Sequence, residues 1–223
     1  MDILNVDLIA RSMPLLCRGA FLTLQVLISA SLISMSLGIT FGLLTSKRLN
    51  IWVVSALLEW LCFILRAVPF YVQLLIVYFV LPDLFQINMD VFVASVVSLG
   101  ICSSGYVAQV VRGGLNAIPM EQWEAAFTLG FSRLAQIRYI ILPQLIRAIL
   151  PALTSELDAM VKSTAILSSI GLLELTRMGM NIVSREMEPL CTYLCVAVFY
   201  VLISGSINLA SKYLERRFSY ANS

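Results

Sequence analysis

The stretch MEQWEAAFTLGFSRLAQIRYIILPQ, residues 120–144, reads as two short amphipathic helices joined by a glycine, set in a chain that is otherwise mostly lipid-soluble. From Ile118 and Pro119 the chain enters a helix with Glu121 and Glu124 in its early turns, where the helix dipole favours negative charge. Trp123, Ala126 and Phe127 recur at spacings of three and four and are expected on one face. Ala125 and Ala126 expose little side chain, so another backbone or a bulky side chain can come close. Gly130 supplies a sharp turn at low steric cost. The second helix is expected to carry Leu134, Ile137 and Ile141 on one face with Arg133 and Gln136 off it, and to end at Pro143 before a membrane span begins. Two short crossed helices on a tight glycine form a rigid knob. Such a knob suits force transfer to a soluble partner, or it merely caps a membrane domain; periodicity does not separate the two uses.

The rest of the chain decides the class. Of 223 residues, 60% are hydrophobic and 13% charged, more apolar surface than a soluble domain of that length can hide, so the fold is an all-α polytopic membrane protein. A net charge of +2 gives no footprint for nucleic acid. Histidine is absent, which removes histidine-based catalysis and the commonest metal ligand. Cys17, Cys62, Cys102, Cys191 and Cys195 sit mostly in apolar runs and read as small hydrophobes; Cys191 and Cys195, a helical turn apart, lack the further ligands a zinc site needs. Asp2 and Asp7 stand where a secretory signal would be basic, so no cleaved signal is expected.

A span needs about 20 apolar residues. Segments 20–45, 91–111, 148–172 and 190–210 qualify directly, and 51–82 makes a fifth, interrupted by Arg66 and Pro69. Proline removes a backbone donor, so a kinked helix, or a short interfacial helix followed by a span, is expected there. With that span beginning near Pro69, Arg66 snorkels to the cytoplasmic interface. Five spans put the termini on opposite sides. Lys47, Arg48, Arg112, Arg133, Arg138, Arg147, Lys212, Arg216 and Arg217 flank one side, against Arg11, Arg18, Arg177 and Arg185 on the other. The richer side is read as cytoplasmic, placing the N-terminus outside and the C-terminus inside. The expected division is an extracytoplasmic segment 1–18, a transmembrane domain 19–211 with its cytoplasmic loop at 118–144, and a cytoplasmic tail 212–223. Ala30, Ser34, Gly38 and Gly42 recur at four-residue intervals in the first span, a spacing that lets another helix approach closely.

Charge within a span is costly, yet the fourth carries Glu156, Asp158 and Lys162, with Ser163 and Thr164 beside them. Asp158 and Lys162 are four apart with the acid first, the favourable order for a helix pair. These groups either line a path and hold the ammonium and carboxylate of an amino acid, or form an ion pair that only fixes helix position.

Residues 124–143 resemble the EAA loop of ABC importer permeases: Glu124, Ala125 and Ala126, three residues, Gly130, nine residues, then Ile140, Leu142 and Pro143. RAVPFYVQLLIVYFVLP (66–82), SSGYVAQVVRGGLNAIP (103–119) and LPALTSELDAMVKSTAILSSIGLLELTR (150–177) are similar to stretches of the polar amino acid group, the histidine, arginine and glutamine permeases. The resemblance runs from about residue 15 to about 210. It implies a permease subunit in a bacterial cytoplasmic membrane, paired with itself or a related chain, carrying two cytoplasmic ATPases that hold the ATP and Mg, and supplied with an amino acid by an extracytoplasmic binding protein. The loop residues would then form the element that docks on the ATPase, and this chain itself would hold no catalytic residue, cofactor or metal. The chain has no G-x-x-x-x-G-K-[ST] phosphate loop of its own. Gln109 stands where that group usually has Glu, Asp158 where it is usually apolar, and Ser163 and Ala165 where it has Asp and Ser. An added acid at Asp158 would favour a cationic substrate, or neutralise Lys162 alone. The competing readings are a secondary transporter or channel, which leaves the knob without a use, and a scaffold without ATP coupling, which leaves the buried charges without one.

Overall fold

The structure, a computed structural model, describes residues 6–47 and 52–219; Asp2 and Arg48 lie outside them. The regular elements among the described residues are helices: α1 (Val6–Leu44), α2 (Trp52–Ala67), α3 (Phe70–Phe85), α4 (Val91–Ala117), α5 (Met120–Thr128), α6 (Arg133–Ile170), α7 (Leu175–Glu186) and α8 (Pro189–Ser219). Helices α1, α4, α6 and α8 are long and apolar enough to cross a membrane, and α2 with α3 makes a fifth crossing when the bent pair is counted as one. Helix α1 starts at Val6, so residues 6–18 continue the first span as 39 residues of unbroken helix, about 58 Å at 1.5 Å per residue. Helix α7, short and amphipathic, is an element that the span count does not reveal.

Proline sets the irregularities. At Val68–Pro69 the chain bends by 103° between α2 and α3. Proline cannot donate, and the residue before it is pushed from helical geometry. The carbonyls freed at the end of α2 are taken by Gln73, whose Nε2 donates to Leu65 O at 2.7 Å and Val68 O at 2.8 Å. Pro82 and Pro143 instead sit inside continuous helices, each just after a π-helical turn, Ile76–Val80 and Ile137–Ile141. A proline ring clashes with the carbonyl four residues back, here Tyr78 and Tyr139, and a widened turn relieves that clash. Pro143 therefore does not end the helix, contrary to the expectation above: α6 runs for 38 residues from the knob through the whole bundle.

The core is the α1–α4 seam. Ala30 and Ser34 are fully buried, and the small-residue stripe of α1 faces α4. A Cβ at Gly42 would lie 2.7 Å from Val111 Cβ and 2.8 Å from Ala108 O, and one at Gly38 2.5 Å from Val107 Cβ. Gly42→Leu is expected to force the seam apart, at roughly 1–3 kcal/mol for overpacking, and to lower the thermal midpoint of the detergent-solubilised protein. Gly113→Leu, where a Cβ meets nothing within 4 Å, should lower it much less; equal midpoints for the two variants would exclude a tight seam.

At the end of the bundle away from α5, Glu174 is fully buried as the N-cap of α7. It accepts from Arg177 N at 2.7 Å, Thr176 N at 2.8 Å and the Tyr200 hydroxyl at 3.1 Å. Burial pushes its carboxyl above the usual range while those donors pull it back. Leu175 N donates to Thr23 Oγ1 at 3.1 Å, tying α7 to α1.

Candidate functional site

The knob is built from α5 and the first turns of α6. Helix α5 ends in a Schellman arrangement: Gly130 N donates to Phe127 O at 2.9 Å and Phe131 N to Ala126 O at 3.1 Å, with Gly130 at φ +79°. A Cβ there would meet nothing within 4 Å, so the left-handed backbone, not space, asks for glycine. Ser132 caps the next helix through Ala135 N, and Gln136 Nε2 donates to Phe131 O at 3.0 Å, bracing the turn.

Two face assignments change. Ala126 is buried and Trp123 packs beneath it against the Val111–Leu115–Ile141 cluster, but Phe127 is 76% exposed, as is Leu134, while Gln136 is buried. The π-helical turn explains the second case. It adds one residue, so the buried face of α6 reads Gln136, Ile141, Leu145, Ile149, a step of five followed by steps of four. Glu124 and Ala125 point outward with Phe127 and Leu129; Ile140 is half-buried, and Leu142 and Pro143 are exposed. A groove of about 650 Å³ between the two limbs is lined by Trp123, Glu124, Phe127, Phe131, Arg133 and Ile137, among others. It combines exposed aromatic surface with one acid and one base, outside every span except for the start of α6.

The second feature is a cavity of about 510 Å³ among the end of α2, the middle of α4 and the middle of α6. Its size is that of a small-molecule site. Arg66, Ser103, Tyr106, Glu156 and Ser163 supply its polar wall, and Phe70, Leu99 and Met160 its apolar one. Glu156 accepts a hydrogen bond from the Ser103 hydroxyl. Arg66 donates from Nε to Cys62 O at 3.2 Å and from Nη1 to Gln109 Oε1, and Tyr106 donates to Arg66 O at 3.4 Å. Glycine at 105 lets α2 come close: a Cβ there would stand 3.1 Å from Leu65 Cβ and 3.3 Å from Cys62 O. The fold gives Arg66 a partner on α4, Gln109, beside the cavity. Next to it on the side of the knob, Arg112, three residues beyond Gln109, forms an ion pair with Glu59 at 2.9 Å. Among the described residues neither Arg66 nor Glu156 takes part in an ion pair, so a base and an acid face one cavity without a direct bridge between them.

The five polar residues singled out in the fourth span are divided by the fold. Glu156 and Ser163 line the cavity. Asp158 lies beside Ser204 of α8 and pairs with Lys162 at 2.6 Å. With Thr154, which shares a hydrogen bond with Ser211, Asp158 belongs to a polar α6–α8 seam. Thr164 is fully buried, its hydroxyl donating to Val161 O at 2.6 Å. At 100° per residue, Asp158 stands about 200° around the helix from Glu156, which is why both cannot face one cavity. Arg66, Ser103 and Tyr106 were not anticipated as cavity residues, nor Gln109 as the partner of Arg66. The available signal was the run Ser103, Tyr106, Gln109 at intervals of three along an otherwise apolar span.

Comparison with known proteins is consistent along the whole length. Residues 38–220 match the family described as binding-protein-dependent transport system inner membrane component. The glutamine transport system permease protein GlnP of Escherichia coli is 34% identical over 209 residues, 92% of this chain and 94% of that one. The arginine transport system permease protein ArtQ of Bacillus subtilis is 30% identical over 218 residues, 96% of this chain and 98% of that one. Among solved structures, an amino acid ABC transporter crystallised with histidines superimposes with a TM-score of 0.84 at 33% identity, covering 94% of this chain and 96% of that one. The inward-facing MetNI methionine ABC transporter, 20% identical with a TM-score of 0.77 over 92% of this chain and 97% of that one, shares the fold.

Proposed function

We propose how transport is performed from the premise that this chain belongs to the family of binding-protein-dependent transport system inner membrane components, the permease subunits of ATP-driven importers. It is a multi-pass, non-catalytic membrane subunit for an amino acid, and the family works with a separate ATPase and a binding protein. In the proposed assembly it sits in a bacterial inner membrane, N-terminus outside and C-terminus inside. It pairs with a second permease and carries two ATPases on its α5 side; those ATPases hold the ATP and Mg. Glu124, Ala125, Ala126 and Gly130 form the docking element, with Ile140, Leu142 and Pro143 where the second limb continues along α6.

The observation that carries the substrate reading is the base and acid that face the cavity without a direct bridge. An amino acid zwitterion presents a carboxylate and an ammonium a few ångströms apart. Arg66 suits the first, since its planar fork matches carboxylate geometry, and Glu156 the second. Ser163 and Tyr106 supply neutral polar contacts, and the apolar wall of Phe70, Leu99 and Met160 accommodates the side-chain stem. In this reading Asp158 faces Ser204 of α8, its ion pair with Lys162 runs along α6, and both stay off the substrate. Because α6 is continuous from the knob to Glu156, about 35 Å at 1.5 Å per residue, movement of the docked knob reaches the cavity wall without a flexible joint.

The test is reconstitution of the permease in vesicles with its ATPase and binding protein. Uptake of labelled L-glutamine should require ATP on the α5 side. Arg66→Lys, which keeps the charge and loses the fork, should slow uptake at saturating binding protein about tenfold, the order of one charge-assisted hydrogen bond. Uptake that proceeds without ATP returns the secondary-transporter reading; an unchanged rate in Arg66→Lys removes Arg66 from the path.

A further inference from the structure

We infer that Gln109 is a specificity-determining residue: as the neutral partner of Arg66, it aims the guanidinium into the cavity and leaves its positive charge free, so the site demands a substrate carboxylate and rejects amines that lack one. This rests on the cavity reading given above and adds a residue outside it, since Gln109 is not among the groups that line that cavity.

The charges along the α2–α4 seam make the case. Four side chains meet there: Glu59 and Arg66 from α2, Gln109 and Arg112 from α4. Glu59 is the only acid of the four, and Arg112 takes it at 2.9 Å. Arg66, seven residues further along α2, meets a backbone carbonyl, Cys62 O, and an amide oxygen, Gln109 Oε1. Both acceptors are neutral. They use Nε and one Nη1 donor of the five that a guanidinium carries, and so fix its plane while leaving donors for a ligand. The remaining titratable groups near it are Cys62 on its own helix, Cys102 and Tyr106 on α4, and Glu156 across the cavity on α6, where it is engaged by Ser103. An acid at position 109 would stand within hydrogen-bond reach of Arg66 and cancel it. The amide holds the same geometry without doing so.

The experiment measures binding to the purified permease–ATPase complex in nanodiscs, without the binding protein, using two matched pairs of probes: L-glutamine with 4-aminobutanamide, and L-arginine with agmatine. Within each pair only the carboxylate differs. The wild-type complex should prefer the amino acid by about 30-fold, the order of a charge-assisted contact. Gln109→Glu should reduce that preference to about 3-fold or less, chiefly by weakening the amino acid, because the introduced carboxylate would pair with Arg66. Gln109→Met, which removes the hydrogen bond but adds no charge, should keep a preference of at least about 10-fold. If Gln109→Glu does not assemble with the ATPase, Gln109→Asp carries the same comparison. A wild-type complex that discriminates, with Gln109→Glu discriminating equally, overturns the inference and leaves the cavity reading standing. Equal loss in Gln109→Glu and Gln109→Met makes Gln109 a packing residue and also overturns it. A wild-type complex that binds neither amino acid, or binds each pair alike, overturns both.

Discussion

Replacing Glu124 by lysine and Gly130 by tryptophan together is expected to abolish ATP-driven uptake while leaving the membrane bundle folded. Both positions lie outside the α1–α4 core. Glu124 and Gly130 are both exposed, and a Cβ at Gly130 meets nothing within 4 Å, so neither change overpacks the interior. What they alter is the knob. Gly130 holds φ +79°, a conformation that costs an L-residue roughly 1–2 kcal/mol, and the two Schellman bonds from Gly130 N and Phe131 N depend on it. Losing that turn changes the angle between α5 and α6. Reversing the charge at Glu124 removes the acid from the groove that also presents Phe127 and Arg133. The exposed aromatic and aliphatic tip, with Phe127 at 76% and Leu129 at 74%, is surface that a docked partner would cover. The measurement is co-purification of the ATPase with each permease from detergent, alongside uptake. Loss of both, with an unchanged thermal midpoint for the permease alone, would establish the knob as the docking element. Equal recovery of ATPase with both forms would place the contact elsewhere.

The knob is legible in the sequence because its information is local. Two glutamates, two alanines and a glycine within ten residues specify a short helix and its stop, and no distant partner is needed to read them. The errors inside it have a local cause as well. Leu134 and Gln136 exchange places because an α-helical period does not carry through a π-helical turn, and the proline six residues beyond Ile137 reads as a terminator although a widened turn accommodates it. Arg66 is different in kind. Its role depends on Gln109, 43 residues away in the chain, and on Gly105 letting the helices touch, so nothing near Arg66 in sequence distinguishes a cavity wall from a membrane interface. Glu156 and Asp158 lie between these cases. Helical geometry alone separates them by about 200°, so the polar stripe of the fourth span is legible as two faces.

That division sets the last and sharper expectation. Glu156→Gln should lower amino acid uptake by about 100-fold, whereas Asp158→Asn combined with Lys162→Met should leave it within about threefold, since a charge-assisted contact to substrate is lost in the first case and none in the second. Gln at 156 keeps the acceptor for the Ser103 hydroxyl, so the cavity retains its shape and loses only its negative charge. The paired change at 158 and 162 removes both members of one ion pair and leaves no stranded charge in the span; removing Lys162 alone would strand Asp158 and is expected to be the worse variant for stability. An acid at 158 would favour cationic amino acids only if it faced the cavity. With Asp158 turned toward Ser204, its removal should alter uptake of glutamine and arginine to the same degree. Competition between these two amino acids in the same vesicles reads that directly. A loss confined to arginine in the double variant would bring Asp158 back to the substrate path, and a Glu156→Gln permease that transports normally would remove the ammonium site from the cavity.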